Sequence, residues 1–191
     1  MRNPSLRVFL FAAMLLGTGS AHAADMRMAA PKACTIEESR QAAMLAAPYD
    51  AFDQTMTGNA SWRPLIDEGC YAAAADVVSL YLTRNAGRLS AEQIWTMRFH
   101  VGQALAMGGE DAQSIPWFKQ SRDPQADTEW LAYVDATLAF LTKDASALAA
   151  GRAAYAAAPH HGAQRLKVID GFRACLTKTY TEALMCAPAQ P

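Results

Sequence analysis

Apolar residues recur along most of this chain at intervals of three and four, and no stretch alternates apolar with polar positions for long enough to form a strand. The pattern predicts an all-α protein. Ile94, Met97, Val101 and Leu105 fall on one side of a helix, as do Leu131, Val134, Leu138 and Leu141, and again Leu166, Ile169, Phe172 and Leu176. Thr35 with Glu38, and Ser90 with Gln93, have the spacing of a capping box, in which two side chains satisfy the free backbone N–H groups of a helix start. Asp144 can cap a further, alanine-rich helix. Stops are expected at Pro48, Ala86-Gly87, Gly108-Gly109, Arg122-Asp123-Pro124 and the bracket of Pro159 and Gly162. The predicted helices therefore cover about 35–48, 62–68, 71–85, 90–108, 111–120, 127–141 and 144–158, then one through Leu166 and Leu176 and a short one over 179–185; residues 49–61 are expected as loop. Pro116 is expected near the first turn of its helix, where few backbone donors have partners.

Helices of this length joined by short turns pack antiparallel, as hairpins. The turn at Gly109-Glu110 is followed 34 residues later by one at Lys143-Asp144 and preceded by 40 residues by one at Gly69-Cys70. In the middle unit Val101 and Gly102 are followed by Gly109, Ser114, Phe118 and Ser121, which resembles the core of a tetratricopeptide repeat: a leucine slot, a small slot, a turn glycine, two further small slots and an aromatic slot. The small residues let paired helices approach closely. Arg98 and Leu105 replace the expected tryptophan and tyrosine, Pro124 comes two residues early, and in the next unit Leu148 and Arg152 occupy the small and aromatic slots. The resemblance covers about residues 62–159, with 160–191 as a helical cap. It implies that the first helix of each hairpin lines a concave groove for a peptide or protein partner. The groove positions it carries over are Thr96, Phe99, Gln103, Ala106 and Met107, then Trp130, Tyr133, Thr137, Phe140 and Leu141. Apart from the resemblance, helical spacing sets Thr96, His100, Gln103 and Met107 opposite Ile94, Val101 and Leu105. The competing expectation is that the aromatic residues pack against the neighbouring hairpin.

The N-terminus changes where this array is expected to work. Arg2 and Arg7 precede an apolar run, Val8 to Gly17, that closes on Ala21-His22-Ala23, the three-part layout of a secretory signal peptide cut after Ala23. The run is too short for a bilayer, which needs about 20 helical residues, and Cys34 lacks the upstream leucine of a lipid-anchored leader. A single periplasmic or secreted domain over 24–191 is expected, without stable membrane insertion. Cleavage leaves 15 Lys and Arg against 18 Asp and Glu, scattered singly along the chain, so nothing favours a nucleic-acid partner. In an oxidising compartment Cys34, Cys70, Cys175 and Cys186 are expected to pair, and proximity favours Cys34 with Cys70 and Cys175 with Cys186.

Candidate chemistry is sparse. There is no GxSxG elbow, HExxH helix or phosphate-cradling glycine loop, and the cysteines lack metal-site spacing. The expectation is a non-enzymatic interaction module without cofactor or metal. The alternative is a small-ligand or metal-binding protein, or an enzyme, with a site near His160 and His161 in their Pro/Gly-bracketed turn.

Overall fold

Helices form where the apolar periodicity places them, and the glycines and prolines sit mostly between them. The structure, a computed structural model, describes residues 34–186. Among these the α-helices are α1 (Glu38–Ala46), α2 (Pro64–Asp67), α3 (Tyr71–Asn85), α4 (Ala91–Met107), α5 (Asp111–Ser121), α6 (Thr128–Leu141), α7 (Ala145–Ala157), α8 (Ala163–Ala174) and α9 (Tyr180–Leu184), with no strand among the described residues. The proposed leader, residues 1–23, lies outside them. None of these helices is long and apolar enough to cross a membrane.

The Ser90–Gln93 capping box at α4 forms as expected, and Asp144 accepts the Ala147 N–H at the start of α7. The Thr35–Glu38 box does not form. Cys34 is bonded to Cys70 ahead of α3, the chain stays non-helical through Glu37, and α1 begins only at Glu38. Pro116 also departs from expectation, since it is the sixth residue of α5 rather than part of its first turn. The helix persists across the lost backbone bond because Ser114, Phe118 and Ser121 are buried on either side of it. Within 49–61, expected as loop, Asp50–Gln54 winds into a π-helical turn that buries Phe52 and Asp53.

The three turns singled out by spacing share one hydrogen-bond pattern. In the first, Gly69 N–H donates to the Ile66 carbonyl and Cys70 N–H to Leu65; in the second, Gly109 donates to Ala106 and Glu110 to Leu105; in the third, Lys143 donates to Phe140 and Asp144 to Ala139. This is the Schellman arrangement, which needs a left-handed residue at its centre. Gly69, Gly109 and Lys143 supply it at φ +73, +83 and +57°. A lysine is costly there, but its Nζ donates to the Lys178 carbonyl at 2.9 Å and lies 3.9 Å from the Phe140 ring centroid.

The hairpins α4–α5 and α6–α7 stack through α5 and α6, and α8 continues the stack against α6 and α7. Helix α4 is a wall between two cores. Met97, Val101 and Ala104 face Phe52, Trp62, Val77 and Tyr81, whereas Phe99 and Ala106 face Phe118, Trp130 and Tyr133. Gly102 is the point of closest approach inside the first hairpin: a Cβ there would lie 3.0 to 3.1 Å from the Phe118 ring. In the second hairpin Gly151 closes on Ala136, 34 residues after Gly102, and a Cβ on Gly151 would lie 3.0 Å from the Ala136 nitrogen. Gly102→Val should accordingly destabilise the fold by about 1–3 kcal/mol, read from urea unfolding, because the enclosed Phe118 ring has nowhere to move. An unchanged midpoint would show that this approach is not tight.

The chain ends by folding back on itself. Cys175 is bonded to Cys186 around α9, and Tyr180 enters the core beside Phe172, Phe140 and Phe118, with ring centroids 5.3, 6.1 and 6.4 Å away. Thr181 Oγ1 donates to the Met107 carbonyl at 3.1 Å, and Gln103 faces the Tyr180 hydroxyl. Helix α9 thereby packs beside the C-terminal half of the α4 face carrying Gln103 and Met107, which are half-buried.

Candidate functional site: a polar cleft floored by Asp53 and His100

Tyr49 and Phe52 are one turn apart, and Phe52 stacks on Tyr81 of α3 at 3.8 Å between centroids. That stacking turns the following residue, Asp53, inward, where its side chain is fully buried. A buried carboxylate must find partners, and Asp53 has several. One oxygen accepts from the Trp62 Nε1–H at 2.9 Å and meets His100 Nδ1 at 2.7 Å; the other accepts from Gln54 Nε2 at 2.6 Å. Arg63 Nε donates to the Asp53 main-chain carbonyl at 2.6 Å, and its Nη2 stands 3.8 Å from the carboxylate.

Burial by itself would raise the Asp53 pKa, but the His100 hydrogen bond and charge, the Trp62 N–H and the Arg63 charge outweigh it and hold the carboxyl at about 2. An ionised carboxylate only accepts hydrogen bonds, so His100 must carry a proton on Nδ1 and present Nε2 away from Asp53. Burial and the neighbouring Asp53 charge push the Tyr49 phenol well above its ordinary value, so it stays protonated. The depressed pKa of Asp53 links stability to acidity. Its contribution, about 2 kcal/mol, is fully present above the unfolded value near 3.8 and is lost as pH falls towards about 2. The stability gap between wild type and Asp53→Asn should therefore be constant above about pH 4 and close as pH falls from there towards about 2; a gap that does not narrow in that window would show that Asp53 is not a depressed carboxylate.

Above this floor lies a cleft of about 570 Å³ lined by Tyr49, Asp50, Gln54, Arg63, Ser90, Glu92, Gln93, Thr96, His100 and Arg165. It joins the π-helical turn, the N-terminal half of α4 and the start of α8. Arg165 is fixed from behind: Nη1 donates to Glu129 Oε1 at 3.1 Å, a carboxylate that also accepts from the Tyr155 hydroxyl at 3.0 Å. Its guanidinium lies 5.4 and 5.3 Å from the Trp130 and Tyr133 ring centroids. A second depression of about 520 Å³ over α5–α7 is lined largely by alanines, and its one acid, Asp135, is paired with Arg122 at 2.7 Å. Polar groups converge only weakly there.

Of the groove positions expected from the sequence, Thr96 lines the cleft beside His100. Phe99, Trp130, Tyr133 and Thr137 do not: all four are buried, which corrects the expectation that they face a partner. Phe99 packs on Phe118, Trp130 and Tyr133 with centroids 4.8, 5.2 and 5.2 Å away; Trp130 Nε1 donates to the Ser121 carbonyl and Thr137 Oγ1 to Tyr133. The cause is the position of α6, which packs against α5, α7 and α8. Ala106, Phe140 and Leu141 are likewise buried, whereas Gln103 and Met107 are half-buried beside α9.

All four cysteines pair as proximity favoured. His160 and His161 are exposed, and His161 Nδ1 is 2.8 Å from the Ala158 carbonyl. No group of three His, Cys, Asp or Glu is placed to hold a metal among the described residues, so the turn gathers no further ligands around the two histidines. The site residues that sequence reasoning missed are Asp53, Gln54, Trp62, Arg63 and Arg165. The one local signal was Tyr49 and Phe52, aromatic residues one helical turn apart inside a supposed loop.

Stacked helical hairpins carrying a polar cleft define the class of architecture. No family model matches the chain, nor does any curated protein or solved structure.

Proposed function

We propose that the protein is an exported, non-enzymatic binding module: a short tetratricopeptide-like array that takes a peptide or protein partner in the cleft over α4. The cleft itself carries this reading, because Thr96, a groove position of the repeat resemblance, lines it beside His100, which helical spacing alone sets on the same face, and α9 packs along the remainder of that face. The repeated Schellman turns and the Gly102–Phe118 approach support the repeat-like origin. Two disulfides support an oxidising compartment and, with the leader-like N-terminus, export to the periplasm or beyond. The test fills the cleft. Thr96→Trp should abolish capture of envelope proteins that the wild type retains, whereas Ala150→Trp, at an exposed position of α7 outside the cleft, should leave them bound. Equal capture by the two variants would remove the cleft from the account.

The Asp53–His100 pair favours one second reading, since an imidazole oriented by a buried carboxylate is the geometry of a general base. On that reading a hydrolytic activity towards small esters would vanish in His100→Gln; a wild type no faster than the variant would dismiss it.

A further inference from the structure

We propose that the cleft recognises an oxyanion, a carboxylate or phosphate group, on what it binds; this rests on the reading of the cleft as the binding surface. The inference comes from which hydrogen-bonding capacity is already spent and which is left facing the cavity. Arg63 is held by its Nε on the Asp53 carbonyl and by its guanidinium 4.8 Å from the Trp62 ring centroid. Its terminal nitrogens make no hydrogen bond among the described residues, the nearest acid oxygen being 3.8 Å away. Arg165 spends Nη1 on Glu129 and lies against Trp130 and Tyr133, which leaves Nε and Nη2 without a partner among the described residues. Gln93 accepts the Ser90 N–H through Oε1, so its amide donors remain. The Thr96 hydroxyl completes the set along α4.

The acids that hold the two guanidiniums, Asp53 and Glu129, lie behind them rather than among the lining residues. The two acids that do line the cleft, Asp50 and Glu92, are exposed. A guanidinium fixed at one edge and stacked on an aromatic ring offers its remaining N–H groups in the planar geometry that matches two oxygens of a carboxylate or phosphate. Two such groups lining one cavity make a site in which the cost of ordering the cations is met before the ligand arrives.

The test is calorimetric titration of the disulfide-intact protein with inorganic phosphate, with succinate, and with N-acetyl-trialanine in its free-acid and C-terminally amidated forms. Saturable one-to-one binding of at least one oxyanion probe is expected, with affinity lowered about tenfold or more in Arg165→Gln and in Arg63→Lys. Arg165 is 43% exposed in its side chain, so Arg165→Gln keeps the test sound even where Arg63→Lys perturbs the fold. Binding of the free-acid peptide but not its amide would assign the group to a peptide terminus; binding of phosphate or succinate alone would assign it to a small anion. No saturable binding of any probe, or an unchanged affinity in Arg165→Gln, would overturn the proposal. Thr96→Trp separates the two levels: partner capture lost in that variant, with no oxyanion binding by the wild type, would keep the cleft as the binding surface and reject the ligand chemistry.

Discussion

Asp53→Ala is expected to cost about 3–5 kcal/mol of folding stability, the scale seen when one partner of a buried charged pair is removed. The substitution leaves the Trp62 N–H, the His100 Nδ1–H and the Gln54 amide without the carboxylate they converge on. Trp62 is almost fully buried, so its N–H is shielded from solvent. The cleft should loosen with the fold, because His100, Gln54 and Trp62 are oriented by that single group. Asp53→Asn keeps an oxygen for the Trp62 N–H and should fall between the two. Guanidinium unfolding of the three proteins provides the ranking, and a loss under about 1 kcal/mol for the alanine variant would mean that the carboxylate is not the organising group.

Removing the Cys34–Cys70 bridge is the second large effect. The loop spans 36 residues, for which the chain-entropy relation gives about 4 kcal/mol, against about 3 for the 11-residue Cys175–Cys186 loop. Structural consequences differ as well. Cys34–Cys70 ties the segment ahead of α1 to the start of α3, and α1, α3 and the π-helical turn share the core that backs Asp53. Cys34→Ser with Cys70→Ser should therefore lower stability and weaken the cleft together. Cys175→Ser with Cys186→Ser should release α9, raise hydrogen exchange at Tyr180 and Ala183, and leave the environment of Asp53 intact. If the two double variants destabilise the same regions, the separation into two cores around α4 is wrong.

Much of the fold was legible because its signals are local. The bounds of α3, the capping box of α4 and the three Schellman turns each depend on residues a few positions apart, and the pairing of the cysteines followed sequence proximity. The start of α1 was not legible, since a bond from Cys34 to a residue 36 positions away overrides the local cap. The site was half legible for the same reason. Helical spacing placed Thr96 and His100 on one face of α4, but the contact that defines the floor joins Asp53 to a residue 47 positions later. The buried aromatics of α6 illustrate a different failure. Trp130 to Leu141 is apolar almost all round the helix, the pattern of an enclosed helix rather than of one with a free face, which agrees with packing against the neighbouring hairpin and not with the groove positions carried over from the repeat resemblance.

The central claim is that an ionised, buried Asp53 holds His100 with Nδ1 protonated and Nε2 turned into the cleft. Nitrogen-15 NMR of the His100 imidazole tests it most directly. The account predicts a protonated, hydrogen-bonded Nδ1 whose downfield proton signal disappears in Asp53→Asn. A neutral His100 carrying its proton on Nε2, or a signal that Asp53→Asn leaves unmoved, would contradict it.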